Sequence, residues 1–172
     1  AWFLLPLFPR SEPMIVDCHA NVFQHWQGAC GHPSSAVHLQ YLQKVVTRPA
    51  ARAFRVRDGK EIKPSMLFRP DDNTWAGLTD VNFRVGRFGQ LAFTHEGDDY
   101  YVQYLPVGMQ ELVCPPELML AQMTVAGVDH CILQAGGGYG AMNDFNAYAQ
   151  HQYPQKFTGL LNIDEATADR PE

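Results

Sequence analysis

Residues 117–163 read ELMLAQMTVAGVDHCILQAGGGYGAMNDFNAYAQHQYPQKFTGLLNI, a stretch in which signals for helices and strands alternate. Good helix formers fill positions 117–126, and Gly127 stands where the C-terminal cap of a helix belongs. The apolar run 129–135 follows at once and is typical of a short buried strand. The first half of the stretch therefore predicts a helix that leads directly into a strand.

The second half repeats the same order. Asn143 can cap a helix that runs to about Tyr153, Pro154 ends it, and the apolar run 157–163 predicts another strand. Strands that alternate with helices are joined by right-handed crossovers, which place the strands parallel in one sheet. The sequence therefore indicates an α/β protein with a parallel sheet.

Upstream, the run MIVDCHA at 14–20 predicts one more buried strand, the first in chain order. A long loop follows it, and residues 39–46 are predicted to form a short helix. From about 47 to 106 the pattern changes to alternating apolar residues separated by turn signals, among them Asp58-Gly59, which is typical of a two-residue hairpin. We therefore expect an antiparallel β insertion after the first strand.

Polar side chains occupy every second position near the end of the first strand. In an extended strand Asp17, His19 and Asn21 share one face, while Cys18 and Ala20 share the other. Because the active sites of parallel barrels lie at the carboxyl ends of the strands, the three polar side chains are candidates for catalysis or metal binding. The alternative is structural, since a buried histidine is more often simply hydrogen-bonded.

Length and composition favour one globular domain with room for an insertion. The chain has 172 residues, 46% of them hydrophobic, and a net charge of -5, which favours small molecules or proteins over nucleic acid and membranes as partners. Its four cysteines show no paired spacing, which favours reduced thiols and a cytoplasmic location. The apolar run 1–9 is too short to span a membrane, and we interpret residues 1–13 as a disordered or non-native extension before a natural start at Met14.

Two blocks of the sequence resemble one known family. The segment IVDCHAN at 15–21 resembles the first-strand signature of the amidohydrolase-related (amidohydrolase 2) family, in the branch of aminocarboxymuconate semialdehyde decarboxylase. The block 119–164 resembles that family's helix with its Ala-Gly-Val ending, its second strand, its Tyr-Gly and Asn-bearing turn and its Tyr-Pro-x-x-Phe-x-Gly entry to the third strand. The resemblance implies a partial (β/α)8 TIM barrel with three parallel strands and two helices. Residues 14–172 would form its N-terminal part, with the insertion at about 47–106.

The resemblance also implies a divalent metal, zinc in the first place, with manganese or iron as alternatives. The family's Asp-x-His-x-His run supplies two histidine ligands, so His19 is implied as the first of them. Asn21 stands where the second histidine belongs and is a weaker ligand, while Asp17 is implied as a weak ligand or as a hydrogen-bond acceptor behind the metal. The remaining ligands are implied to lie after Glu172, so the 172-residue chain is expected to be inactive alone.

The implied activity is that of a metal-dependent hydrolase or decarboxylase (a carboxy-lyase). Its substrate would be a small organic acid, amide or lactone, and the full-length protein would be a cytoplasmic enzyme that can form a homodimer. Two rivals stay open. One is a non-catalytic relative that lost the metal through Asn21 and binds a ligand or partner, and the other is a complete small α/β domain with a β insertion.

Four further residues are candidate substrate contacts because they follow the first two strands: His25, Trp26, Tyr139 and Asn143. The histidines and the cysteine of the loop at 21–38 fit no zinc-binding spacing, and packing is the simpler role for them. The glycine run 136–140 lacks the order of a phosphate-binding loop and suits a tight turn. Arg55 and Arg57 of the insertion either hold a carboxylate or keep an exposed hairpin solvated.

Overall fold

A computed structural model of the chain describes residues 13–47, 51–72 and 74–163. Within these ranges the protein is mixed α/β, with a parallel sheet of three strands and an antiparallel sheet of five. All but the last residue of the extension predicted at 1–13 lies outside the described residues. Among the described residues, no helix combines the length and the apolar content needed to cross a membrane.

The antiparallel strands of the described residues all fall between the first and second helices. In chain order the elements are β1 (Val16–Ala20), α1 (Ser35–Val45), β2 (Ala53–Arg55), β3 (Glu61–Ile62), β4 (Arg84–Val85), β5 (Gln90–His95), β6 (Asp98–Gln103), α2 (Pro116–Ala126), β7 (His130–Leu133), α3 (Asn143–Gln152) and β8 (Phe157–Gly159). Two 3-10 turns, Ser65–Leu67 and Trp75–Gly77, lie between β3 and β4. The insertion thus lies where the alternating apolar pattern predicts it.

The parallel sheet has the strand order β1-β7-β8. A buried cluster that includes Met123 of α2, Leu133 of β7, Ala149 of α3 and Phe157 of β8 joins the two helices to the sheet. Gly127 ends α2 with φ of 68°, a left-handed conformation that glycine adopts without strain. The predicted parallel arrangement of three strands with helices before the second and third is confirmed, and the partial (β/α)8 barrel stays a prediction.

The antiparallel sheet has the strand order β3-β2-β6-β5-β4. Buried residues alternate along β5 and β6, as Leu91, Phe93, Tyr100 and Val102 show. These side chains pack in a larger core cluster that also contains Leu42 of α1. The predicted antiparallel insertion is therefore confirmed, and α1 packs against it.

The connection between β2 and β3 is longer than predicted. Residues 56–60 separate the two strands, so the prediction of a two-residue hairpin at Asp58-Gly59 is wrong. The cause is the Asp58 carboxylate, which accepts a hydrogen bond from the backbone N–H of Lys60 at 3.1 Å and another from Arg55 at 2.7 Å. These contacts hold a wider turn.

The two arginines at this turn bind carboxylates of the protein itself. Arg55 contacts Asp58 at 2.7 Å and Asp98 at 3.3 Å, and Arg57 contacts Asp98 at 3.1 Å. The Arg55 guanidinium lowers the pKa of the Asp58 carboxyl to about 2. Carboxylates of the chain itself therefore pair with both arginines, and the Arg57 side chain is 63% exposed.

Strand β1 departs from regular alternation. Its register pairs Asp17 with Cys131 and Ala20 with Leu133, so three steps along β1 match two along β7. The irregularity is a β-bulge, across which the Asp17 carboxylate accepts a hydrogen bond from the backbone N–H of His19 at 2.9 Å. The regular alternation on which the shared-face prediction depends therefore does not hold between Asp17 and Ala20.

Two helices differ from prediction at their starts. Helix α1 begins at Ser35 instead of position 39, because the Ser34 hydroxyl accepts a hydrogen bond from the backbone N–H of Val37 at 3.2 Å and caps it. Helix α3 ends near the predicted position, but Met142 is its N-cap. The Asn143 side chain instead exchanges two hydrogen bonds of 2.9 Å with the backbone of Asn162, and so ties the start of α3 to the segment after β8.

Candidate functional site at the end of strand β1

An open cavity of about 740 Å³ lies at the carboxyl end of β1. Asp17 and His19 of β1, Asn21 directly after it and Tyr139 of the turn after β7 line this opening, which we call the β1 cavity. Its other walls come from residues 105–114 and from α2. The structure thus brings together the three candidate metal ligands and one of the four candidate substrate contacts.

The β1 side of the cavity offers an imidazole, a carboxylate and an amide oxygen. Asp17 and His19 are exposed and Asn21 is half-buried. The hydrogen bond from the backbone of His19 fixes the Asp17 carboxylate beside the bulge. These donor types are ones that divalent ions take in proteins. Within the described ranges, no group of three or more His, Cys, Asp and Glu side chains has the arrangement of a metal site.

The loop after β1 is held against the segment 105–114. Phe23 and Cys114 exchange two backbone hydrogen bonds of 2.8 and 3.0 Å, and the N–H of Trp26 donates to the carbonyl of Leu112 at 3.0 Å. Phe23 and Cys114 are buried and both line the β1 cavity. These bonds fix two walls of the cavity relative to each other.

Trp26, a candidate substrate contact, is a core residue with 1% exposure. Its ring centroid lies 5.6 Å from that of Phe23, 5.7 Å from Tyr104 and 5.9 Å from Tyr139. Trp26 therefore packs behind Phe23 and Tyr139 and supports the wall that they form. The same rings give the loop after β1 its place in the larger core cluster.

His25, another candidate contact, lines a second opening of about 830 Å³. Its Nδ1 accepts a hydrogen bond from the backbone N–H of Gln27 at 3.2 Å, so its ring proton in the neutral form is on Nε2. That Nε2 lies 3.5 Å from a carboxylate oxygen of Glu111, which lines the β1 cavity. The His25–Glu111 pair therefore connects the walls of the two openings.

Burial raises the pKa values of two groups of the β1 cavity. It raises the pKa of the Cys114 thiol to about 11 and also raises the pKa of the Tyr139 hydroxyl. At neutral pH Cys114 is therefore a thiol and not a nucleophilic thiolate. Tyr139 keeps its hydroxyl proton and is a hydrogen-bond donor.

His32 of the loop and His38 of α1 form a separate pair of stacked rings. His38 is fully buried, its ring stacks on His32 with centroids 5.5 Å apart, and its Nδ1 lies 3.1 Å from the carbonyl of Gly28. Burial lowers the pKa of both histidines and raises that of the Cys30 thiol to about 11. This environment agrees with the packing role expected for the loop.

Three polar residues of the β1 cavity were not anticipated from the sequence: Gln110, Glu111 and Gln122. The first two come shortly before Pro115-Pro116, where the chain leaves the insertion and enters α2. A segment that returns from an insertion to a parallel sheet must pass near the strand that preceded the insertion. The position of these two residues at the end of the insertion therefore predicts that they lie near β1. Gln122 has no such signal, because it is one polar residue among several on α2.

The described residues define a mixed α/β protein whose candidate site opens at the carboxyl end of a parallel strand. Comparisons of the chain with protein-family models, with curated proteins and with solved structures found no match. A proposal of function therefore depends on two observations. They are the chemistry of the β1 cavity and the resemblance of the two sequence blocks.

Proposed function

We propose that this chain carries part of the active site of a metal-dependent hydrolase, or of a related carboxy-lyase, that acts on a small organic acid, amide or lactone. The main support is the convergence of Asp17, His19 and Asn21 on one cavity at the carboxyl end of β1. Substrates of parallel α/β enzymes bind at this end of the strands.

The strand order is compatible with a barrel as the setting of this site. In β1-β7-β8 each parallel strand pairs with the next parallel strand along the chain. Successive strands of a (β/α)8 barrel have this order, and so do the strands in one half of a doubly wound sheet. Met123 of α2 and Ala149 of α3 belong to one cluster on the sheet, as helices of successive barrel units do.

In this proposal His19 would hold the divalent ion, with the Asp17 carboxylate and the Asn21 amide oxygen as weaker donors. The chemistry that such an ion would supply is polarisation of a carbonyl group or a lower pKa of a water molecule. The Tyr139 hydroxyl lines the same cavity and would donate a hydrogen bond to a substrate oxygen. Since Asn21 replaces a histidine, we expect weaker metal affinity than at a site with two histidines.

Titration of the metal-free protein with zinc tests the proposal. We expect one ion per chain, and we expect His19→Ala to weaken binding at least ~10-fold because it removes the imidazole ligand. The matched control is His151→Ala, which removes an exposed histidine of α3 and should leave the affinity unchanged. Equal affinity of the wild type and His19→Ala would contradict a site at His19.

A second candidate function is a non-catalytic ligand-binding protein. The residue that favours it is Asn21, which stands where the resembled family has a metal-binding histidine. The same titration separates the two, because the binding protein is expected to take up no zinc in the wild type. Zinc uptake that depends on His19 would exclude it.

A further inference from the structure

The glycine run 136–140 contains Tyr139, the candidate substrate contact that lines the β1 cavity. The run forms the expected tight turn, which closes through a hydrogen bond of 2.9 Å from the N–H of Tyr139 to the carbonyl of Gly136. A tight turn alone does not require glycine on both sides of Tyr139. The close neighbours of Gly138 and Gly140 supply a second reason for these two glycines.

Gly140 lies directly against the loop after β1. A Cβ at this position would overlap the carbonyl oxygen of Cys30 and lie 2.7 Å from the Cys30 Cβ, and the φ of 119° is one that other residues rarely adopt. The contact is reciprocal, because a Cβ at Gly31 would overlap the carbonyl oxygen of Ala141. The N–H of Ala141 also donates to the carbonyl of Cys30 at 2.9 Å. The two glycines therefore allow the loop and the turn to pack backbone against backbone.

Gly138, on the other side of Tyr139, lies against an aromatic group of the larger core cluster. A Cβ at Gly138 would lie 2.7 Å from the hydroxyl oxygen of Tyr104, while the nearest ring carbon of Tyr104 would be 3.7 Å away. The ring of Trp26 packs on both tyrosines, with centroids 5.7 Å from Tyr104 and 5.9 Å from Tyr139. The Tyr139 ring also packs on Phe23, with centroids 5.1 Å apart. Tyr139 is therefore held by its ring and by both of its neighbours in the chain.

We propose that Gly138 and Gly140 are positioning residues that hold the Tyr139 hydroxyl in the β1 cavity. A side chain at either position would push the turn away from its neighbours, so the Tyr139 ring would leave its place beside Phe23. The inference rests on the proposed function only in making this hydroxyl a substrate contact. Because His19 lies on β1 and not on the turn, its affinity for zinc should not change in the glycine variants.

Gly140→Ala tests the role of the close contact. Its matched control is Gly137→Ala in the same turn, because a Cβ at Gly137 would have no atom of the described residues within 4 Å. In protein labelled with carbon-13 in its tyrosine rings, NMR measures the cross-relaxation between the rings of Tyr139 and Phe23 and also the pKa of the Tyr139 hydroxyl. The variant Tyr139→Phe identifies the Tyr139 signals.

We expect Gly140→Ala to lose the cross-relaxation between Tyr139 and Phe23. We also expect the pKa of the Tyr139 hydroxyl to fall towards its ordinary value of about 10, because burial raises this pKa in the wild type. Gly137→Ala should keep both properties. A general loss of stability would not move these two signals in a chain that stays folded.

Gly138→Ala provides a second test that includes a rescue. The atom that its Cβ would meet is a side-chain hydroxyl, which can move more easily than backbone, so this variant should keep its fold even where Gly140→Ala does not. It should change the Tyr139 signals in the same direction. Adding Tyr104→Phe removes the hydroxyl and should restore the signals, with Tyr104→Phe alone as the control.

Three results would overturn the inference: unchanged Tyr139 signals in the folded glycine variants, equal changes in Gly137→Ala and Gly140→Ala, or no restoration of Gly138→Ala by Tyr104→Phe. The zinc titration is independent of all three. A wild type that takes up no zinc but responds to the glycine variants as expected would remove the proposed function and leave the positioning of Tyr139 standing. Zinc uptake at His19 with Tyr139 unmoved by the variants would do the opposite.

Discussion

The imidazole of His38 has no exposed surface, and its Nδ1 lies 3.1 Å from the carbonyl of Gly28. Burial lowers the pKa of His38, and the neighbouring ring of His32, whose pKa burial also lowers, adds to the effect. In the unfolded chain both side chains return to an ordinary pKa of about 6.5. As the pH falls below that value the unfolded state takes up protons first, so stability is complete above about pH 6.5 and is lost progressively below it.

We therefore expect acid to destabilise the protein through His38 and His32. Between the unfolded pKa and its lower pKa in the folded state, His38 contributes a loss of up to ~1.4 kcal/mol per pH unit, and the more exposed His32 contributes less. Urea unfolding at about pH 7.5 and about pH 5.5 measures the difference in free energy of unfolding. His38→Phe keeps a buried ring and should reduce the difference, whereas His151→Gln, at an exposed site, should not. An unchanged difference in His38→Phe would contradict the assignment.

At the scale of secondary structure elements, one side chain joins the ends of two parallel strands. Asn146 of α3 is fully buried, and its Nδ2 donates to the carbonyls of Gln134 and Leu160, each at 3.3 Å. Gln134 follows β7 directly and Leu160 follows β8 directly. The amide therefore fixes where both strands end, on the side of the sheet where sites of parallel folds form.

We expect Asn146→Asp to be strongly destabilising. The carboxylate has no donor for the two carbonyls and is a buried charge next to them, so the cost in free energy of unfolding should exceed ~3 kcal/mol. Asn143→Asp is the matched control, because it is half-buried and keeps an oxygen that accepts the N–H of Asn162, and about 1 kcal/mol is expected for it. Urea unfolding of both variants gives the comparison, and equal losses would contradict the role of Asn146.

Elements specified by neighbouring residues could be predicted from the sequence. Helix α2 is one, because proline at its start and Gly127 at its end are local signals, and β7 follows directly. The β insertion is another, since alternating apolar residues mark its longest strands. The bulge in β1 has no such signal, because it depends on which residues of β7 Asp17 and Ala20 meet.

The candidate site could be predicted where it lies on β1, at Asn21 directly after it and at Tyr139 in the turn after β7. Asp17, His19 and Asn21 are close in sequence, so their convergence needed little knowledge of the fold. Glu111 is nearly a hundred positions further along the chain and reaches the cavity only because the insertion returns there. Trp26 lies between polar residues in the loop, yet tertiary packing buries it, which local sequence does not indicate.

At the scale of the whole molecule, two core clusters share a narrow contact. The larger contains the insertion, α1 and the loop after β1, and the smaller contains the parallel sheet with α2 and α3. Met119 and Phe145 are partly buried residues that pack against both. Few apolar side chains connect the two clusters. Cooperative unfolding of the described residues should therefore depend strongly on Met119 and Phe145.

We expect Phe145→Ala to separate the stabilities of the two clusters. Removing the ring costs about 3 kcal/mol of packing and weakens the contact that couples the clusters. Among the described residues, the smaller cluster has seven buried apolar residues against seventeen in the larger, so it should open first. Native-state hydrogen exchange at increasing urea measures the order of opening. In Phe145→Ala the β7 amides should exchange at lower urea than the amides of β5 and β6, whereas in the wild type the amides of all three strands should exchange in one transition.

Tyr148→Ala removes a neighbouring ring that is 48% exposed and should leave the single transition intact. Merged exchange in Phe145→Ala would show that the clusters are coupled by other contacts, such as the backbone bonds between Phe23 and Cys114.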